Sequence, residues 1–390
     1  MTNFEYAPSP TLDRVITCSS LEGEERALVE DVTKWANPDK FAGLIRQVHG
    51  RSIEFQSPSI PPLSVADYIA DRYDGLQIYG TGGADELTEG IVIDPPRTII
   101  SPVDPKNHAD QLKEILQLQC IDEHGTLQLS QRPYAPFHGM DEGEANKRRT
   151  VTEWLGKSLA EFNASGSSSW IKMPTFVAEG IFPNTLDHES HPLRFQVYRV
   201  PLVPRFPTQL VHLSKVEDIQ NACESFSYLA GRTLRWVFHL NNLAYMDGHV
   251  GNMSLLSDGE KRKLYITDLG SIHDFSDDAF PERYKGIDFL MFFESMEKLL
   301  AHYHNHIRTR TAISEHADEF FNYLHALTRT AFMGGYLSTT RLSKKEISTS
   351  DTVKYADIVY FAYLGLPPQN FLEFMEKFLT TIVSGFSQKN

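Results

Sequence analysis

The chain has 390 residues, 41% of them hydrophobic and 11% aromatic, enough for a sizeable core and for two or three domains or one two-part enzyme. Its formal net charge of −14 excludes a general nucleic-acid-binding surface, which needs a basic face; an anionic substrate such as a nucleotide is not excluded, because a bound metal and a few local cations can carry that task. The three cysteines, Cys18, Cys120 and Cys223, are scattered without zinc spacing and fit a reducing compartment, and neither a signal peptide nor an apolar run of roughly 18 residues is seen, so a cytoplasmic location away from membranes is expected.

Residues 1–70 read as an N-terminal extension, mostly helical: GEERALVEDVTKWANPDKFAGLIRQVHG keeps helical periodicity as far as Gly50, and SPSIPPLS follows as a turn. From 75 to 102, apolar pairs between Gly and Pro read as strands, and Gly80, Gly82, Gly83 and Gly90 suit either a phosphate cradle or a plain turn. A helix with an acidic first turn is expected over 104–118, and LQLQCIDEHGTLQLSQRP reads as a hairpin turning at 122–125. DEGEANKRRTVTEWLGKSLAEF is a helix with Val151, Trp154, Leu155, Leu159 and Phe162 on one face. TFVAEGIF and RFQVYRVPLVP are two more strands, and beyond Pro207 the pattern is mainly helical. The expected class is α+β, with a strand-rich part over 71–205 holding one key helix, a helical part over 206–390, and a boundary near 200–207.

The chemistry concentrates in FHLNNLAYMDGHVGNMSLLSDGEKRKLYITDLGS, residues 238–271. A long helix, with Ile219, Cys223, Phe226, Leu229, Leu234, Val237, Phe238 and Leu240 apolar, delivers the loop MDGHVGN. A tight hairpin follows, MSLL out and LYIT back. A two-strand hairpin brings its open ends together, so Asn252 before the first strand should approach Asp268 after the second. An amide oxygen beside a carboxylate makes a hard-oxygen site suited to Mg²⁺ bridging phosphates. Asp247, five residues before Asn252, can face the same place and accept a proton from an attacking hydroxyl, which is what phosphoryl transfer requires.

This stretch resembles the catalytic and metal-binding loops of the protein-kinase-like superfamily, D-x-x-x-x-N, hairpin, D-x-G. Asp247-Gly248-His249-Val250-Gly251-Asn252 is similar to the D-x-H-x-G-N form of aminoglycoside and choline phosphotransferases, and Asp268-Leu269-Gly270 stands where the superfamily has Asp-Phe-Gly. The resemblance implies a bilobal kinase-like fold, Asp247 as catalytic base, Asn252 and Asp268 as metal ligands, ATP and Mg²⁺ as cofactors, and a small-molecule or protein acceptor. A looser resemblance, in LQLSQRPYAP, TVTEWLGKSLAEF and GNMSLL, is to the selenoprotein O family of AMP-transferases. It makes Glu153 the helix carboxylate that pairs with a phosphate-binding Lys. That family lacks the catalytic Asp that this chain keeps at Asp247, which favours phosphotransfer to a hydroxyl of a metabolite.

The chain departs from the superfamily where GTLQLSQRP has no Lys; Arg132 is the candidate replacement, since a guanidinium also grips phosphate. Lys147, Arg148 and Arg149 are further candidates or a solvated charged face. The missing Lys also opens the alternative of a pseudokinase that binds without turnover. His249 is expected to brace its loop, and His302 and His306 to form a polar helix face. Asp274, Asp277 and Asp278 read as a solvated acidic loop or as an attraction for a cationic substrate.

Overall fold

The computed structural model describes residues 15–17, 21, 23–34, 45–49, 52–80, 117–131, 140, 142–164, 170–186, 192–259, 261–310, 316–338 and 349–387. The protein is mixed α+β. It divides into two compact units, one of Met1–Gln117, Gln131–Glu161 and Met173–Leu202, the other of Leu118–Ser130, Phe162–Lys172 and Val203–Asn390.

The first unit is built on a six-stranded antiparallel sheet in the order β1-β8-β9-β4-β3-β2. Its strands are β1 (Val15–Thr17), β2 (Ile45–His49), β3 (Ser52–Gln56), β4 (Gly75–Tyr79), β8 (Thr175–Leu186) and β9 (Pro192–Val200). Side chains alternate between the two faces. Leu76, Ile78, Phe195 and Val197 pack with Phe55 and with Leu28 and Val29 of α1 (Gly23–Lys34) in one apolar cluster. Tyr79 and Gln196 point the other way, to α3 (Glu142–Ala164). There the Arg148 guanidinium lies 3.6 Å from the centre of the Tyr79 ring, and Gln196 Nε2 donates to the Ala145 carbonyl at 2.7 Å. The short α2 (Val65–Ile69) is closed at its start by a reciprocal cap between Ser64 and Asp67.

Residues 1–70, expected as a mostly helical extension, contribute among their described residues three strands of the shared sheet, β1, β2 and β3, beside the helices α1 and α2. IRQVH, expected to continue the helix, pairs with β3 in antiparallel register, His49 opposite Ser52. Strand pairing outweighs a local helical pattern that α1 already ends at Lys34. A buried ion pair ties α1 to the sheet: both Arg199 guanidinium nitrogens reach Glu25, at 2.7 and 2.6 Å, and Ser57 Oγ donates to the same carboxylate at 2.5 Å. On α3, the buried stripe is Ala145, Arg148, Thr152 and Leu155, and Trp154 is 39% exposed rather than on the core face.

Among the described residues the second unit holds the hairpin β5 (Gln117–Ile121) and β6 (Leu127–Gln131), the three-stranded sheet of β11 (Met253–Asp258), β12 (Lys261–Ile266) and β7 (Ile171–Lys172), and six helices. These are α4 (Phe206–Val211), α5 (Val216–Thr233), α6 (Pro281–Arg310), α7 (Ala317–Tyr336), α8 (Thr349–Gly365) and α9 (Pro368–Ser387). Helices α5 and α7 cross closely, since a Cβ on Gly231 would sit 2.0 Å from the Phe332 carbonyl oxygen and one on Gly335 1.9 Å from that of Tyr228. The helix expected to run unbroken into the loop changes character: a π turn at Leu234–Phe238 and a 3₁₀ turn at His239–Asn241 follow α5, and Leu240 is 50% exposed. These turns rotate the chain out of the helix axis just ahead of the loop. Among the described residues no helix is long and apolar enough to cross a membrane.

Candidate active site

The site grows from a hairpin with a buried floor. Strand β11 (Met253–Asp258) pairs with β12 (Lys261–Ile266), Met253 opposite Ile266, and β12 pairs along its other edge with β7 (Ile171–Lys172) in parallel. Gln209 of α4 holds the outer edge of β11 as a strand would, donating to the Leu255 carbonyl at 3.0 Å and accepting from the Leu255 N–H at 2.9 Å. One step beyond the paired ends, both the N–H and the hydroxyl of Thr267 donate to the Asn252 carbonyl, at 3.0 and 3.2 Å. The hairpin therefore delivers Asn252 and Asp268 to the same end of the sheet.

Three side chains meet there through Asp247. Asn252 Nδ2 donates to the Asp247 carbonyl and to Asp247 Oδ2, both at 3.1 Å. Asp268 lies beside Asp247, close enough for its charge to act on that carboxyl. Burial, and then the charge of Asp268, push the Asp247 carboxyl up to about 6. His249 braces the loop: the Gly251 N–H donates to His249 Nδ1 at 3.1 Å, so the ring proton sits on Nε2, which faces Asp247 Oδ1 at 3.5 Å.

The loop carrying Asp247 is held in uncommon backbone conformations. Asn242, Met246 and Asp268 all have positive φ, at 57°, 64° and 52°. For a long side chain such as Met246 this costs on the order of 1–3 kcal/mol unless its surroundings fix it. Asp288 of α6 does so from below. Its fully buried carboxylate accepts the Met246 N–H at 2.7 Å, the Tyr245 N–H at 2.8 Å and His239 Nε2 at 2.9 Å, while His239 Nδ1 meets the Tyr336 hydroxyl at 2.8 Å. Tyr245 stacks on Phe238 and its hydroxyl donates to the Thr267 carbonyl, which joins the loop to the end of β12. Ser295 of α6 accepts the Val250 N–H at 3.1 Å. Asp288, His239 and Ser295 escaped sequence reading. Asp288 had a visible signal, a carboxylate inside the apolar run of YKGIDFLMFF, where an unpartnered charge would be costly.

The other expected site residues stand elsewhere. Glu153 belongs to the first unit and is exposed on α3. Arg132 lies outside the described residues, as do Gly82, Gly83, Gly90 and residues 104–116 of the helix expected over 104–118, whose last two residues, Gln117 and Leu118, belong instead to strand β5. The hairpin preceding Arg132 is not a strand pair of the six-stranded sheet: among the described strands β5 and β6 pair only with each other, and Leu118–Ser130 belongs to the second unit. Gly80, at φ 91°, is required by close approach, because a Cβ would meet the Arg194 carbonyl oxygen at 2.8 Å. Arg148 is spent on Tyr79, and Arg149 reaches the buried Glu179 at 3.4 Å, a carboxylate that Arg194 also engages at 2.5 Å. In the acidic loop, Asp274 accepts Ser276 N–H and Oγ, and Asp278 pairs with His273 at 2.6 Å; both close the turn on itself. His304, between the two histidines singled out from the sequence, pairs with Asp318 at 2.8 Å, while the exposed His302 faces solvent and the His306 side chain lies outside the described residues.

No family model matches the chain, and no curated protein matches it. Among solved structures, "WaaP in complex with acyl carrier protein" is similar over 58% of this chain and 92% of that one, at 14% identity and a TM-score of 0.27.

Proposed function

We propose that the protein is a phosphotransferase of the kinase-like kind, moving a phosphoryl group from ATP to a hydroxyl of a small metabolite. The observation that carries this reading is the convergence of Asp247, Asn252 and Asp268 at one end of the β11–β12 hairpin, where Asn252 donates to the Asp247 carboxylate and the Thr267 N–H, next to Asp268, donates to the Asn252 carbonyl.

The donor set fits a magnesium ion. Among the described residues no group of three or more His, Cys, Asp and Glu side chains forms, but Mg²⁺ in phosphate chemistry is commonly held by one or two carboxylates, the remaining positions being filled by water and phosphate oxygens. Two neighbouring carboxylates, one with its acidity suppressed first by burial and then by the charge of the other, mark a place that a divalent cation would stabilise. Asp268 and Asn252 Oδ1 would hold it, and it would supply charge neutralisation at the transferred group. Asp247 orients the acceptor hydroxyl and takes its proton; His249 and Asn252 fix the rotamer of its carboxylate.

The test is a product-mass assay: the full-length protein, Mg²⁺ and ATP are incubated with a metabolite pool. A gain of about 80 Da on a small molecule is the expected result. A gain of about 329 Da, on a protein or on the chain itself, would replace this reading with AMP transfer. Binding of nucleotide without any product would favour the pseudokinase.

A further inference from the structure

The β5–β6 hairpin ends in a prebuilt turn. The Asp122 side chain accepts the N–H groups of His124 and Thr126 at 2.9 and 2.8 Å, and Asp122 N–H meets the Thr126 carbonyl at 3.0 Å. This tip is captured by two helices. Gln369 at the start of α9 grips its backbone in both directions, accepting from Leu127 N–H at 2.6 Å and donating to the Gly125 carbonyl at 3.1 Å. Arg283 in the first turn of α6 donates to the same carbonyl, reaches Glu376 of α9 at 2.7 Å and lies over the Phe280 ring. Gly125 suits the turn because its φ is 76°, a conformation that residues other than glycine rarely adopt.

The next residue, Tyr284, joins the hairpin to the chain that leaves Asp268. Its hydroxyl donates to the Ile121 carbonyl at 3.2 Å, and its ring stacks on His273 at 4.3 Å and Phe275 at 6.4 Å. Strand β13 (His273–Asp274) pairs with β10 (Leu243–Ala244), which leads directly into Tyr245 and Asp247. An unbroken series of contacts thus runs from the hairpin tip, through Arg283 and Tyr284, to the segment between Asp268 and α6 and to the loop that bears Asp247.

We infer that the β5–β6 hairpin is a built-in clamp: its capture by Arg283 and Gln369 holds the segment over 272–280 in one arrangement, so that this segment is ordered without a covalent modification. The inference stands on the contacts of the hairpin and is independent of which reaction the site performs.

Hydrogen exchange on the full-length protein tests it. Gln369→Ala removes both backbone hydrogen bonds from this side chain to the hairpin. The clamp predicts that the amides of Phe275 and Asp278, bonded to the Asn242 and Phe275 carbonyls, exchange at least about tenfold faster in this variant, alongside the hairpin amides. Amides of α5 and α7 should stay as slow as in the wild type. Arg283→Gln, measured in parallel, should give the same pattern. Faster exchange confined to the hairpin, with 272–280 unchanged in both variants, would overturn the inference and make the hairpin a passenger. Faster exchange through α5 and α7 as well would also overturn it, since Gln369 would then be a general support of the unit.

Discussion

Asp247 and Asp268, twenty-one residues apart in sequence, come together at the end of the β11–β12 hairpin, close enough for the charge of Asp268 to act on the Asp247 carboxyl. Burial first, and that charge second, make the Asp247 carboxyl keep a proton that an isolated carboxylate would have lost.

That retained proton has a measurable consequence. The folded value for Asp247, about 6, lies above its ordinary 3.8. A carboxyl raised on folding stabilises the folded state below its ordinary value, and that contribution is lost as pH rises through about 6. Metal-free wild type should therefore show a carboxyl titration near 6 by NMR and an unfolding free energy that falls between pH 4 and 6 through this group. Asp247→Asn should remove both. Mg²⁺ with nucleotide should shift the titration downward, because a divalent cation favours the ionised form.

The support beneath the loop is a stability prediction. Asp288 accepts two backbone N–H groups and His239 while fully buried. Asp288→Ala leaves those donors unsatisfied and should cost roughly 3–5 kcal/mol in denaturant unfolding. His239→Ala removes one arm and opens a cavity, and should cost less, about 2–3 kcal/mol.

The ion pair between Glu25 and Arg199 is expected to behave asymmetrically. Arg199→Met alone strands a buried carboxylate and should destabilise by about 3–5 kcal/mol. Combined with Glu25→Leu, the loss should shrink to about 1 kcal/mol or less, since the pair's desolvation cost goes with it. Burial works to raise the Glu25 carboxyl, but the hydrogen bonds from Arg199 and Ser57 outweigh it and hold the value below normal. Its contribution is present above the ordinary glutamate range and is lost as pH falls through the lowered value. A thermal-melt series in acid on wild type and the double variant should show that acid sensitivity only in the wild type.

The close crossing of α5 and α7 leaves no space for a methyl group at Gly231 or Gly335. Gly335→Ala should cost about 1–3 kcal/mol or more from overpacking against the Tyr228 backbone, despite the higher helix propensity of alanine. Melting curves of the variant provide the check.

Much of this site is legible in the sequence because its residues are local. Hairpin pairing is a short-range rule, so the approach of Thr267, the neighbour of Asp268, to Asn252 follows from MSLL and LYIT alone, and the five-residue spacing lets Asn252 reach back to Asp247. What escapes is non-local. Asp288 acts across forty-three residues from Tyr245, and only its apolar company in GIDFL marks it. The strand nature of IRQVH depends on its partner SIEFQ rather than on its own pattern. The hairpin around Gly125 was readable as a hairpin, but its capture by Arg283 and Gln369 joins residues more than 150 apart, beyond any periodicity.

Calorimetric titration of Mg²⁺·ATP into the wild type and into Asp268→Asn tests the central claim most directly, because it asks whether the paired carboxylates form a metal-dependent nucleotide site without needing the acceptor. Wild type should bind only when Mg²⁺ is present, and Asp268→Asn should bind at least roughly tenfold more weakly, with the fold unchanged by circular dichroism. Equal affinity in the two proteins, wild-type binding that persists in excess EDTA, or no wild-type binding at all would contradict the account.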